Sequence, residues 1–294
     1  ASDVYKRQVQ SRLEDTFMML LKEDKIASKQ GAEPLDSIDM DLNESVIEKE
    51  RKRLLSPNEM VERPVEISVS HLVRTFGDFT AVANTSFTVQ RGEVFGLLGP
   101  NGAGKTTIFR MLCGLLPVTS GDLRVAGVDV VKSRTAARSN FGYVAQKFSL
   151  YGNLSVMENL EFFAGVYGLY SQKKDDRIEA VIKEFRLNDV RDMIAGDLPG
   201  GYKQRLSMAA ALMHEPKILF LDEPTSGIDP LTRRNFWRQI TSLSKRGTTI
   251  IITTHFMDES EYCDRIMIQD AGKLVVLGTP DEVRRIAGDE NCTM

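Results

Sequence analysis

The residues best placed to do chemistry are the eight in Gly99-Pro100-Asn101-Gly102-Ala103-Gly104-Lys105-Thr106. They satisfy GxxxxGK[ST], with the apolar run Val94-Phe95-Gly96-Leu97-Leu98 leading in and a helical pattern leading out. In such a loop the glycines let successive backbone N–H groups turn inward as an anion nest, and the helix N-terminus adds partial positive charge. Lys105 can then reach β- and γ-phosphates, and Thr106 can place its hydroxyl on Mg²⁺. Each charged hydrogen bond is worth about 1.5–3 kcal/mol, so a triphosphate tail can anchor its ligand. ATP with Mg²⁺ is the ligand this loop leads one to expect.

A second chemical element is Ile218-Leu219-Phe220-Leu221-Asp222-Glu223, an apolar strand ending in two adjacent carboxylates. Strand alternation sends neighbouring side chains to different sides. Asp222 is therefore expected in the Mg²⁺ shell, and Glu223 towards the γ-phosphate, where it can polarise a water. An apolar strand ending in acids is common by itself. The phosphate loop gives this one its meaning.

Those residues need strands to present them. Val65-Glu66-Ile67-Ser68-Val69 alternates like a strand, and Phe87-Thr88-Val89 runs into the turn at Gln90-Arg91-Gly92-Glu93. Val94–Leu98, Ile218–Leu221 and Thr249–Ile252 are apolar almost throughout, the texture of strands buried on both faces of a parallel sheet. Helices are expected over Thr106–Leu116, Asp175–Leu187 and Lys203–His214. The alternation predicts an α/β sheet with a helical insertion around residues 150–215. Within that insertion, Phe162-Phe163-Ala164-Gly165-Val166-Tyr167-Gly168-Leu169-Tyr170 reads as subdomain core. Phe148, Leu150, Tyr151 and Leu154 could be core or a socket for a partner.

Composition narrows the alternatives. The formal charge of −3 argues against a nucleic-acid binder, which would show a basic face. Cys113, Cys263 and Cys292 form no CxxC pair, so neither a disulfide framework nor a zinc site is indicated. No apolar run approaches the roughly 20 residues a membrane helix needs. Residues 11–22 read as a short amphipathic helix, and the stretch that follows is polar and charged, with the run Glu48-Lys49-Glu50-Arg51-Lys52-Arg53. The opening Ala1–Gln8 reads as a cloning or assembly scar.

Further motifs, in order along the chain, complete a pattern. Leu198-Pro199-Gly200-Gly201 resembles the LSGGQ signature of ATP-binding cassette (ABC) proteins. Tyr143-Val144-Ala145-Gln146 resembles their Q-loop, Ser226-Gly227-Ile228-Asp229 their D-loop, and Thr253-Thr254-His255 their switch histidine. Phe76 sits where the family stacks an aromatic on adenine. The resemblance covers about Ile67 to Pro280 and implies the ABC ATPase fold: a P-loop NTPase core with a parallel sheet, an antiparallel β subdomain and a helical subdomain. It also implies roles. Residues 99–107, including Thr107, would hold the nucleotide. Thr106, Gln146 and Asp222 would surround Mg²⁺. Glu223 would be the general base, His255 the γ-phosphate sensor, and Gln146 the link to a membrane partner. Two cassettes would close head to tail, each signature capping the ATP of the other. Pro199 departs from the pattern, since it replaces a serine whose hydroxyl bonds the opposing γ-phosphate.

The wording of these motifs resembles ABC-2 type bacterial multidrug exporters, and among them the second cassette of tandem-cassette ATP-binding subunits. On that resemblance residues 1–27 hold the scar and the closing helix of a preceding cassette, 28–64 a charged linker, 65–288 the cassette, and 289–294 a truncated tail. The chain would then be an internal fragment, bound peripherally at the cytoplasmic face of the inner membrane, working with a second cassette and ABC-2 type permease subunits to export drugs or other small molecules. Three other readings fit less well. A ribosome-acting tandem cassette would favour basic surfaces. A chromosome or DNA-repair cassette needs a long coiled coil between phosphate loop and signature, and sustained heptads are missing there. A P-loop kinase or GTPase has no reason to carry the LPGG and His255 elements, and no NKxD motif is present.

Overall fold

The computed structural model describes residues 63–289. The expectations for residues 1–27, for nearly all of the linker and for the tail beyond Asp289 fall outside the described residues. Two sheets organise the rest. Strands β1 (Val65–Phe76), β2 (Phe79–Gln90), β4 (Ser120–Val125) and β5 (Val128–Asp129) form an antiparallel sheet in the order β2-β1-β4-β5. Strands β3 (Val94–Leu98), β6 (Phe141–Val144), β7 (Ile218–Asp222), β8 (Thr249–Thr254), β9 (Arg265–Asp270) and β10 (Lys273–Gly278) form the second, ordered β10-β9-β3-β8-β7-β6. In this sheet only β10 runs antiparallel to its neighbour. The fold is the ABC ATPase fold, with its parallel core, antiparallel β subdomain and helical subdomain.

Every residue of β3, β7 and β8 is buried, as the apolar runs that make up most of β3 and β7 and the centre of β8 require. Alternation divides them between two cores. Val94, Leu98, Leu219, Leu221, Ile250 and Ile252 face the helical side. Phe95, Leu97, Ile218, Phe220 and Ile251 face the antiparallel sheet and helix α1 (Lys105–Leu112). Because both faces are packed, the parallel strands have little freedom to slip. Their C-terminal ends are thus fixed platforms.

The helical subdomain consists of α3 (Val156–Val166), α4 (Ser171–Glu184) and α5 (Gly200–Ala211). Between α1 and α3 lies the short α2 (Arg134–Arg138); α6 (Pro230–Lys245) and α7 (Pro280–Asp289) complete the chain. A capping box starts α3: Glu158 N donates to Ser155 Oγ at 3.1 Å while Ser155 N donates to the Glu158 carboxylate at 2.7 Å.

Several expectations need correction. Helix α1 stops at Leu112 rather than Leu116. Gly114 adopts φ 62° there, and Leu115 N bonds back to Arg110 O at 2.8 Å while Gly114 N bonds to Met111 O at 2.9 Å. That is a Schellman-type end, so the glycine and not Pro117 breaks the helix. Helix α4 begins at Ser171, four residues before expectation, and ends at Glu184. Helix α5 begins at Gly200 and ends at Ala211, because Pro199 fits the N-cap with φ −55°. Only part of the aromatic run is core: Ala164 is buried, and Tyr167 and Leu169 pack half-buried against the same cluster. Helix α3 turns Val156, Leu160 and Ala164 inward at intervals of four, which leaves Phe162 43%, Val166 60% and, beyond its end, Tyr170 71% exposed.

Candidate active site

Four neighbouring parallel strands deliver the candidate residues from their C-terminal ends. The phosphate loop follows β3, His255 follows β8, Glu223 follows β7, and Gln146 stands two residues beyond β6. Ligands of open α/β sheets bind outside this edge, where loops diverge and helix N-termini point inward.

Backbone geometry makes the phosphate loop. Gly99, Gly102 and Gly104 have φ of 144°, 84° and 101°, a region closed to most side chains. A Cβ on Gly99 would lie 2.1 Å from the carbonyl oxygen of Gln269, and one on Gly104 would lie 2.4 Å from that of Ala81. Strands β9 and β2 therefore press directly on the loop. Gly272 N donates to Ala103 O at 3.0 Å and adds a third brace. Pro100, Asn101 and Thr106 are exposed, Thr107 is half-buried, and Ala103 is buried.

Lys105 is only 4% exposed, and its Nζ donates to Gly99 O at 2.7 Å and Pro100 O at 2.9 Å. Burial pulls its pKa below the ordinary lysine value, against the opposing pull of Glu223 and Asp222. The ammonium is thus held over the loop by carbonyls, within the field of two carboxylates.

Asp222 ends β7, buried, and accepts from Thr253 Oγ1 at 2.7 Å. Burial raises its carboxyl pKa, while the Thr253 hydroxyl favours ionisation. Glu223 separates from Asp222 for a reason other than strand alternation. Its φ of 45° takes the chain out of the strand, and its N–H donates to Thr253 Oγ1 at 2.9 Å. The Glu223 carboxylate then accepts from Gln146 Nε2 at 3.0 Å and lies 3.3 Å from His255 Nδ1. Three residues chosen from the sequence far apart thus meet at one carboxylate.

A Mg²⁺ ion that brings most of its own shell needs few protein ligands. Among the described residues no group of three or more His, Cys, Asp or Glu side chains is arranged as a metal cage. Mg²⁺ prefers one or two protein oxygens, with phosphates and waters completing the shell. The exposed Thr106 hydroxyl and the Asp222 carboxylate suit that preference.

Other motif residues are placed elsewhere. Leu198 is buried, whereas Pro199 and Gly200 are exposed and Gly201 half-buried at the start of α5. No hydrogen bond among the described residues joins Leu198–Gly201 to the phosphate loop. The tie runs instead from Gln204 Nε2 to Pro224 O, 2.7 Å, next to Glu223. Ser226 and Gly227 are exposed and Ile228 half-buried, while Asp229 caps α6 by accepting from Thr232 N at 3.0 Å. Phe76 is 46% exposed and pairs across the hairpin with Phe79, two residues before Ala81, which touches the loop. The Arg74 guanidinium covers one face of its ring at 4.4 Å.

Sequence reasoning missed three supports. Thr253 stands in the histidine motif, yet its hydroxyl holds both acids. Gln204 stands in the run that follows the signature glycines, where nothing announces its tie to Pro224, and Gln269 belongs to none of the motifs. Gln269 is fully buried, with its carbonyl against Gly99 and neither side-chain amide atom hydrogen-bonded. A polar residue inside an apolar strand was the available signal.

The chain resembles known proteins in sequence and in fold. The ABC transporter family profile matches residues 82–226. The chain is 54% identical over 225 residues to the "Probable multidrug ABC transporter ATP-binding protein YbhF" of Escherichia coli (strain K12), a match covering 76% of this chain and 39% of that protein. It therefore spans about two-fifths of the length of this relative. To the "Nod factor export ATP-binding protein I" of Rhizobium sp. (strain N33) it is 42% identical over 217 residues, 74% of this chain and 71% of the relative. Among solved structures, cbiO1 from Clostridium perfringens, described as part of the ABC transporter complex cbiONQ, matches with a TM-score of 0.70 at 29% identity, over 78% of this chain and 96% of that one.

Proposed function

Because this chain belongs to the ATP-binding proteins of ABC transporters, we propose that it hydrolyses Mg²⁺-bound ATP at Gly99–Thr107 and so powers an exporter. The meeting of Gln146 and His255 on the Glu223 carboxylate carries this reading. Bound Mg²⁺, held by Thr106 and Asp222, would neutralise charge on the phosphates. Lys105 and the N–H groups at the start of α1 bind the triphosphate. Phe76 offers its ring to the adenine. Glu223 orients and deprotonates the attacking water, His255 senses the γ-phosphate, and Gln146 reports occupancy outward.

The site is completed by the signature of a second cassette. Gly200 and Gly201 start α5 without a hydrogen bond to their own phosphate loop among the described residues, and their N–H groups would serve another chain's ATP. Two cassettes closing on two ATP molecules, then parting after hydrolysis, would supply the mechanical stroke.

A membrane partner needs a seat. A cleft of about 380 Å³ lies between the parallel core and the helical subdomain, lined by Leu115, Tyr143, Leu150, Phe163 and Tyr167 among others. Tyr151 and Phe162, 46% and 43% exposed, stack edge to face nearby with ring centres 4.7 Å apart. Solvent-facing aromatics beside an apolar cleft suit the helix end of a permease, here of the ABC-2 type. No helix among the described residues is long and apolar enough to cross a membrane. The export path for drugs or other small molecules would then belong to that permease, with this chain at the cytoplasmic face of the inner membrane.

Replacing Glu223 with Gln tests the chemistry. ATP affinity should hold while turnover falls by about 10²–10⁴. Turnover at the wild-type rate would remove Glu223 from the role of base.

A further inference from the structure

A second buried glutamate stands behind the Glu223–His255 pair. Glu259, in the 3₁₀ turn Met257–Tyr262, is 1% exposed. Its two oxygens are used separately. Thr225 Oγ1 donates to Oε1 at 2.5 Å, and Thr254 Oγ1 donates to Oε2 at 2.6 Å. Both threonines are themselves 1% exposed. Arg233 on α6 is only a distant counter-ion, its Nε 3.7 Å from Oε1, with its guanidinium carbon 4.4 Å above the Phe256 ring.

The connectivity closes a ring. Thr225 lies two residues after Glu223, and Thr254 immediately precedes His255. From Glu223 the chain runs to Thr225, across Glu259 to Thr254, on to His255, and back through space to Glu223 at 3.3 Å. Alternation along β8 completes the hold. Thr253 binds Asp222 and the Glu223 N–H on one side, and Thr254 binds Glu259 on the other. Thr254 Oγ1 also accepts from Phe256 N at 3.0 Å, so the backbone on both sides of His255 is held through this hydroxyl.

Burying a carboxylate is unfavourable unless hydrogen bonds replace its water. Here two neutral hydroxyls, from two loops with different duties, take most of that role. An apolar side chain could fill the volume but could not grip both loops.

We infer that Glu259 is a positioning residue for hydrolysis, clamping the switch-histidine loop to the segment after Glu223 so that His255 and Glu223 keep their spacing. The inference rests on the proposed roles of Glu223 and His255. It assigns Glu259 no contact with nucleotide, so its loss should act on turnover and not on binding.

The test uses the full chain in steady-state ATP hydrolysis, with nucleotide affinity measured by a fluorescent ATP analogue. Glu259→Ala should lower kcat about 10- to 100-fold, the scale expected when reacting groups are displaced by about an ångström. The KM for ATP and the analogue affinity should stay within about twofold. Glu259→Gln should recover part of kcat, since its amide oxygen can still accept from one threonine. Thr225→Val removes one arm without removing the carboxylate and should show the same split at smaller size; it carries the test if Glu259→Ala does not fold. The clamp is overturned if kcat is unchanged, if kcat and affinity fall together, or if Gln recovers nothing over Ala. Glu223→Gln is measured alongside. Full turnover there would sink the underlying assignment, whereas a dead Glu223→Gln with an unaffected Glu259→Ala would sink the clamp alone.

Discussion

Two helices of this protein start on glycine-bearing turns, and the fold treats them in opposite ways. At α1 the turn is enclosed. Gly99 and Gly104 lie so close to the Gln269 and Ala81 carbonyls that no side chain fits, and Lys105 folds back over them. At α5 the turn is open. Gly200 has nothing within 4 Å of where a Cβ would stand, and Gly201 meets only the Thr232 methyl at 3.5 Å. Pro199 caps α5 without a side-chain hydrogen bond. Both starts offer backbone N–H groups and dipole charge to an anion. The first is shaped by its own chain, while the second is free to serve a ligand held elsewhere. On the proposed function, this contrast is that of a half-site awaiting its pair.

Substitutions can break or sharpen that contrast. The largest effect is expected from Gly104→Ala, which combines a φ of 101° with a 2.4 Å approach to Ala81 O. ATP affinity by calorimetry should fall at least about 100-fold, with a lower Tm from the forced loop. Lys105→Ala removes charged hydrogen bonds to phosphate and should cost about 1.5–3 kcal/mol, roughly 10- to 200-fold in affinity, with the fold intact by circular dichroism. Gly200→Ala is the matched change at the open turn. Its Tm and its single-chain ATP affinity should be unchanged, while turnover falls about tenfold because the methyl stands where a partner's nucleotide must seat. Equal damage to binding from Gly104→Ala and Gly200→Ala would erase the distinction.

Smaller effects refine it. Pro199→Ser gives α5 a side-chain cap, worth about 1 kcal/mol, and a hydroxyl for the opposing phosphate. ATP-driven pairing, followed by light scattering, should tighten; unchanged or weaker pairing would refute this. The smallest effect lies away from both turns. His214 stacks on Tyr167 with ring centres 3.8 Å apart, and burial holds its pKa below the ordinary histidine value. The unfolded chain therefore takes up this proton first, and stability drains as pH falls from about 6.5 towards the folded value. His214→Phe should flatten the Tm–pH curve in that window and leave the neutral-pH hydrolysis rate alone.

Much of this was legible in the sequence because the relevant physics is local. Apolar runs announce β3, β7 and the centre of β8, and the loop glycines sit where backbone geometry demands them. What was not legible depends on distant neighbours. The stretch 162–170 is apolar enough to be core throughout, but the phase of α3 turns only Ala164 of its second half fully inward. Adjacent acids suggested alternation, whereas Glu223 is turned by a left-handed backbone that the Thr253 hydroxyl stabilises. Glu259 is one of several acidic residues that follow His255 in the sequence, and only the meeting of Thr225 and Thr254 shows it to be interior.

Mixing two inactive chains tests the half-site most directly. Lys105→Ala disables phosphate binding at the enclosed turn, and Gly201→Glu places a repelling carboxylate at the open one, where a helix start tolerates negative charge. Each chain alone should hydrolyse almost no ATP. An equimolar mixture should recover about a quarter of the wild-type rate, since half the pairs then hold one intact composite site. A mixture as inactive as its components, or full activity of Gly201→Glu alone, would contradict the account.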